Sequence, residues 1–208
     1  MSVQEEVLRP EEFAEAVGAA VTDTQGRDFH EVATVLANAG LFGVCASEEN
    51  GGLGLDLVFG VAVCEAAGKL QLHFPLVEQM VLAKAFANTE IAESLVSGSK
   101  VAPIAWQGSL PEKAVTHVAY AADSDWVLVA DEQGASLLAL ASLPVQTNET
   151  LDPDYPHYEI GLEGAVVKAR LSVEEYAVLQ EDAQMLYAGF VNGLSAAALQ
   201  QTAEYMST

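Results

Sequence analysis

Between Ser99 and Arg170 the chain breaks into short runs, "KVAPIAW", "AVTHVAY", "DWVLVAD", "ASLLALA", "YEIGL" and "AVVKARL", set apart by Gly, Pro, Asp and Asn. Val, Leu and aromatic residues fill these runs, the composition of strands on a half-buried pleated surface. No helical pattern separates them, and parallel neighbours need long crossover connections, so an antiparallel sheet, a small barrel or a sandwich is expected. Helical patterns flank this block on both sides. The sequence therefore predicts an α+β fold with an N-terminal helical bundle over 1–98 and a middle antiparallel β-domain over 99–170. A long helix over 171–208 would begin an incomplete helical C-terminal domain.

The helical patterns have recognisable ends. "PEEFAEAVGAAV" places Pro10 in a first turn, with Glu11 and Glu12 where a helix N-terminus favours acids. "FHEVATVLANAG" sets Phe29, Val32, Val35 or Leu36, and Ala39 at helical spacing, and Gly40 suits the stop. "LDLVFGVAVCEAAGKL" predicts a helix with Asp56 as N-cap and Gly68 near its end, and "PLVEQMVLAKAFANTEIAESLVSG" predicts one long helix or two short ones. Ser172 and Glu175 match a capping box. Beyond them Tyr176, Leu179, Ala183, Leu186, Phe190, Leu194 and Ala197 recur in steps of three and four, one apolar stripe along a long helix. Gly189, Gly193 and Ala197 form a small-residue track on which a second helix can approach closely. A stripe running on toward Thr208 calls for cover from a downstream segment or another subunit.

Composition narrows the function classes. Half the residues are hydrophobic, enough for a packed core, and the formal charge is −22, from 8 basic and 30 acidic residues. The basic residues are scattered singly, so no patch meets a phosphodiester backbone and nucleic acid is excluded as a partner. No window has the apolar length of a membrane span. "MSVQEEVLRPEEF" lacks the apolar core of a secretory signal, which predicts a cytoplasmic protein. Cys45 and Cys64 have no metal-ligand spacing and read as buried free thiols.

Candidate chemical motifs fail one after another. "SEENGGLGLD" lacks the Lys-Ser/Thr of a Walker loop, and its G-G-x-G spacing follows a helix end rather than a strand. Its acids would also repel phosphate, so it reads as a turn between helices. His30, His73, His117 and His157 are far apart in sequence, and no metal site is expected. "LDPDYPHY" offers two carboxylates, too few for calcium, and Ser109 in "QGSLP" lacks a nucleophile elbow.

The segment "AGLFGVCASEENGGLGLDLVFGVAVCEAAGKL" resembles the acyl-CoA dehydrogenase family. Gly40, Leu41, Gly43, Glu48, Glu49, Gly51, Gly52, Leu53, Gly54, Glu65 and Gly68 stand where that family has its N-terminal glycine segment. "FPLVEQMVLAKAFANT", "YAADSDWVLVADEQG", "ETLDPDYPHYEIGLEG" and "AAALQQTAEYMST" are similar to later family segments in the same order. The resemblance implies three domains (helical, β, helical), FAD, and α,β-dehydrogenation of an acyl-CoA thioester in fatty acid or steroid catabolism. In that chemistry a carboxylate takes the α-proton and the flavin accepts a hydride. It further implies an oligomer, homomeric or with another dehydrogenase subunit, and an electron-transfer flavoprotein as acceptor.

Several positions depart from the family pattern. The chain stops where an R-x-Q-F-G segment would follow, ahead of the helices that carry the family's catalytic glutamate, so the resemblance assigns no catalytic residue here. "WQGSLPEK" replaces the flavin-contacting T-E-P-x-x-G-S-D, putting Trp106 and Gln107 at the flavin-facing position. "HVA", residues His117, Val118 and Ala119, replaces the W-I-T strand that packs on the flavin ring, and Tyr155 stands where an Arg is common. By this resemblance Trp106, Gln107, His117, Val118 and Ala119 are the candidate cofactor-binding residues. The chain is expected to be an acyl-CoA dehydrogenase-like flavoprotein that is inactive alone. The alternatives are a non-catalytic partner subunit of a heteromeric dehydrogenase and an unrelated helical and β interaction module.

Overall fold

In the computed structural model, which describes residues 9–87, 89–152 and 155–207, five helices precede the strands. They are α1 (Pro10–Asp23), α2 (Phe29–Asn38), α3 (Leu57–Lys69), α4 (Leu76–Ala85) and α5 (Glu90–Val96). Residues 1–8 of the N-terminal run read for a signal peptide, and Pro153 and Asp154 of the "LDPDYPHY" turn, fall outside the described residues. A capping box opens α2: Asp28 Oδ1 accepts from the Glu31 amide at 2.9 Å, and Glu31 Oε2 accepts from the Asp28 amide at 3.2 Å. The "PLVEQ…LVSG" segment divides into α4 and α5, with Thr89 Oγ1 capping α5 by accepting from the Ala92 amide.

The glycine segment is a turn, and its hydrogen bonds show why it cannot cradle a phosphate. The amides of Leu53, Gly54 and Leu55 donate to the carbonyls of Gly43, Ala46 and Val44 at 2.8, 2.8 and 3.0 Å. Donors satisfied within the chain have nothing left for an anion. Gly52 is required by contact: a Cβ there would lie 2.3 Å from the Ala46 carbonyl oxygen. Asp56 takes the extended N-cap backbone of α3, yet its side chain makes no capping bond, contrary to the sequence expectation. A backbone turn from the Phe59 amide to the Asp56 carbonyl, 3.0 Å, opens that helix instead.

Seven strands follow: β1 (Ile104–Ala105), β2 (Ala114–Ala119), β3 (Trp126–Asp131), β4 (Gly134–Ala139), β5 (Val145–Thr147), β6 (His157–Gly161) and β7 (Val167–Leu171). They form two sheets, ordered β1-β3-β4-β7 and β2-β6-β5. All pairings are antiparallel except β1 with β3, because the chain crosses to the second sheet as β2 before it returns. Strand alternation assigns the two faces of the first sheet. Trp126 and Leu128 join the helical core, while Val127 and Val129 pack between the sheets.

The long helix α6 (Val173–Ser207) starts at the predicted box, with the Ser172 amide donating to Glu175 Oε2 at 2.8 Å and the Glu175 amide donating to Ser172 Oγ at 3.2 Å. Its small-residue track lies on α3. A Cβ at Gly193 would stand 2.0 Å from the Glu65 carbonyl oxygen, and one at Gly189 would stand 2.8 Å from that of Val61. Asn192 Nδ2 also donates to Glu65 Oε1 at 2.8 Å, fixing the register of the two helices. Further along, Lys84 at the end of α4 pairs with Asp182 of α6 at 2.6 Å. These contacts hold α6 along α3 and α4.

Candidate functional site: a cleft between β1 and α6

Residues 100–106 carry the chain from the helices into the first sheet, and buried polar groups fix their path. Gln79 of α4 is fully buried; its Nε2 donates to the carbonyls of Leu95 and Lys100 at 2.9 and 2.8 Å, and its Oε1 accepts from the Ala102 amide at 3.2 Å. From the other side Asp125 accepts from Lys100 Nζ at 2.7 Å and from the Val101 amide at 3.1 Å. Held between α4 and the start of β3, the segment pairs as β1 and then releases Trp106 toward α6.

Trp106 is 41% exposed and meets the ring of Tyr187 edge to face, with centroids 6.1 Å apart. Together with Gln180, Ala183 and Gln184 of α6 these rings line a cleft of about 280 Å³. Behind the rings lies Glu78 of α4, 6% exposed, whose Oε1 accepts a short hydrogen bond of 2.5 Å from Tyr187 Oη. Burial pushes the Glu78 carboxyl upward; hydrogen bonds from Tyr187 and the Trp106 indole pull the other way and are outweighed. Burial and the neighbouring carboxyl likewise push the Tyr187 phenol far up. Tyr155 is close enough to feel the same carboxyl, and burial first, then Glu78, raises it to about 12.

The strand β2 bulges between Val115 and Val118, and His117 sits on that bulge with φ +57°, exposed. Its ring meets His157 at 6.1 Å, and His157 in turn meets Tyr155 at 5.0 Å. Burial, then the neighbouring His117, holds the His157 imidazole below its ordinary value. The sequence candidates therefore separate by environment. Trp106, Gln107 and His117 are exposed, whereas Val118 and Ala119 are buried and could offer a ligand only backbone atoms.

Sequence reasoning missed Glu78, Gln79, Gln180, Gln184 and Tyr187. Glu78 and Gln79 read in the sequence as polar positions of a helix; only the burial of α4 from Leu76 to Ala83 shows that each polar side chain there must find a partner inside. Among the described residues, no group of three His, Cys, Asp or Glu side chains gathers to hold a metal. Cys45 and Cys64 are buried free thiols that burial pushes upward, away from reactive thiolate.

The buried carboxyl makes a prediction about pH. A carboxyl whose folded pKa is raised keeps its proton more tightly folded than unfolded, so its contribution is complete below the ordinary value of 4.5 and is lost as pH climbs through the raised value. Glu78→Gln removes this titration. The stability of the wild type minus that of Glu78→Gln, from denaturant melts, is expected to be flat below about pH 4 and to fall steadily above it. A difference that rises with pH would show that Glu78 is stabilised as the anion.

Comparison with known proteins bears on the fold. Residues 5–97 match the family model described as acyl-CoA dehydrogenase, N-terminal domain. Among curated proteins no sequence matches the chain. Solved structures match the fold closely. A chain of the ChsE4-ChsE5 complex from Mycobacterium tuberculosis aligns with TM-score 0.80 at 22% identity, over 94% of this chain and 66% of that one. The Tcur3481-Tcur3483 steroid ACAD aligns with TM-score 0.77 at 20% identity, again over 94% and 66%. A glutaryl-CoA dehydrogenase from Mycobacterium smegmatis, in complex with FADH2, aligns with TM-score 0.76 at 13% identity, over 98% and 67%. The chain thus spans about two thirds of the length of the structures it matches. No helix among the described residues is long and apolar enough to cross a membrane. Residues 5–97 thus match the N-terminal domain of acyl-CoA dehydrogenases, and the chain as a whole shares the fold of these solved structures.

Proposed function

We propose that this chain is an acyl-CoA dehydrogenase-like flavoprotein subunit of the cytoplasm that offers one side of an FAD site and does not dehydrogenate an acyl-CoA thioester alone. The cleft at the end of β1 carries this reading: Trp106, Gln180, Ala183, Gln184 and Tyr187 line it, and none of them is a carboxylate. Removing an α-proton requires an ionised base within hydrogen-bond reach of the reacting carbon's proton. Glu78, the nearest buried carboxyl, lies behind Tyr187 and favours its protonated form. The described residues of the cleft therefore supply no base, and in this reading a further segment or a partner provides it.

The residues present suit one side of a flavin. The half-exposed Trp106 ring offers an aromatic surface, and Gln107, just past β1, and His117, on the β2 bulge, are exposed polar residues. The backbone of Val118 and Ala119 completes the set. When bound, FAD supplies the hydride acceptor; the chain's own residues orient it and limit water at the Trp106–Tyr187 wall. A role as partner subunit in a heteromeric dehydrogenase is favoured by the fold match to a chain of a two-protein complex, ChsE4-ChsE5. Supplied with FAD, a dye acceptor and acyl-CoA thioesters of linear, branched and steroid types, the purified chain is expected to reduce no dye. Sustained thioester-dependent reduction by this chain alone would overturn the proposal.

A further inference from the structure

Tyr187 lines the cleft on its α6 side. Its ring stands edge to face with Trp106, its hydroxyl is held by the buried Glu78 carboxyl, and beyond it α4 is buried from Leu76 to Ala83. The two rings form a wall between the cleft and the α4–α6 interior. A ring anchored by a hydrogen bond to a buried carboxyl does not swing aside freely, since leaving would strand a buried polar group. The cleft has Gln180 and Gln184 beside the two rings.

We infer that Tyr187, anchored by Glu78, is a specificity-determining residue that shuts the α4–α6 interior to an aliphatic acyl chain. This rests on the reading of the cleft as a dehydrogenase-type site and narrows it: the cleft in this chain admits a flat group with polar edges and rejects a long alkyl tail. Shortening the side chain to Ala removes the wall and opens apolar space beside Ala183. A buried alkyl chain then contributes to binding in proportion to the methylenes it removes from water.

Calorimetric titration of the full chain with decanoyl-CoA and with free CoA tests the inference through their affinity ratio. For the wild type the ratio is expected to be near one. For Tyr187→Ala it is expected to favour decanoyl-CoA by about tenfold or more, the gain from burying two or more methylenes. Tyr187→Phe keeps the ring but removes its bond to Glu78, and is expected to shift the ratio in the same direction by less than Tyr187→Ala. Glu78→Leu, which frees the hydroxyl but keeps the ring, is expected to shift the ratio the same way by less, and it stands in should Tyr187→Ala fail to fold. A wild-type ratio already near tenfold, or a folded Tyr187→Ala or Glu78→Leu that gains nothing, overturns the inference. FAD titrated into the same samples reads the parent proposal separately: loss of flavin binding with the acyl discrimination intact would remove the flavin reading and leave the role of Tyr187 standing.

Discussion

Gln79→Leu is expected to lower stability by on the order of 3–5 kcal/mol. The leucine suits a helix buried on every face at this point, so the loss comes from the three backbone groups left behind. The carbonyls of Leu95 and Lys100 lose their donor and the Ala102 amide loses its acceptor, all on the path from α5 into β1. Each unsatisfied buried group costs about 1–3 kcal/mol, reduced where the segment relaxes toward water. The midpoint of denaturant unfolding reads the loss. Because the same segment leads to Trp106, its fluorescence should also shift toward that of a solvated indole before the global transition. Wild-type stability in Gln79→Leu would mean that the segment is held by Asp125 alone.

Gly193→Ala should destabilise by about 1–3 kcal/mol even though Ala is the better helix former by about 1 kcal/mol. The new Cβ would stand 2.0 Å from the Glu65 carbonyl oxygen and 2.7 Å from the Lys69 amide nitrogen, both backbone atoms of α3 that cannot turn away. The helices must part, weakening the Asn192–Glu65 bond and the packing of Phe190 against Gly68. Gly18 of α1 provides the opposite case, with nothing within 4 Å of its Cβ position. Gly18→Ala is therefore expected to stabilise by about 0.5–1 kcal/mol. Thermal melts of the two variants side by side should move in opposite directions. Equal shifts of the same sign would refute the seam as a backbone-to-backbone contact.

Elements defined by local chemistry could be read from the sequence. The capping box of Ser172 and Glu175, the strand runs and the glycine turn all depend on residues a few positions apart, and all were legible. The stripe of α6 was legible for the same reason, since its period lies within one helix. The parallel pairing of β1 with β3 was not, because it follows from where the chain returns after visiting the second sheet. Asp56 shows the opposite failure: a good capping residue in the capping position whose side chain makes no such bond. At the site the resemblance pointed to Trp106, Gln107 and His117 by register. It could not indicate that Tyr187, 109 residues from Glu78, closes onto that carboxyl, or that Tyr155 shares its field. Polar residues in "LVEQM" look like a solvated helix face until packing shows that this helix has none.

The two tryptophans allow one direct test of the flavin reading. Trp126 is buried in the core, 9% exposed, and Trp126→Phe leaves Trp106 at the cleft as the sole indole reporter. FAD titrated into this variant, in the presence of any dehydrogenase subunit that co-purifies with the chain, is expected to quench Trp106 as the flavin's own absorbance shifts. Trp106→Ala in the otherwise wild-type chain is expected to weaken FAD binding by roughly tenfold, the loss of an aromatic contact of about 1 kcal/mol or more. Flavin that binds with unchanged affinity to Trp106→Ala and leaves Trp106 unquenched would contradict the assignment of the β1–α6 cleft to a flavin.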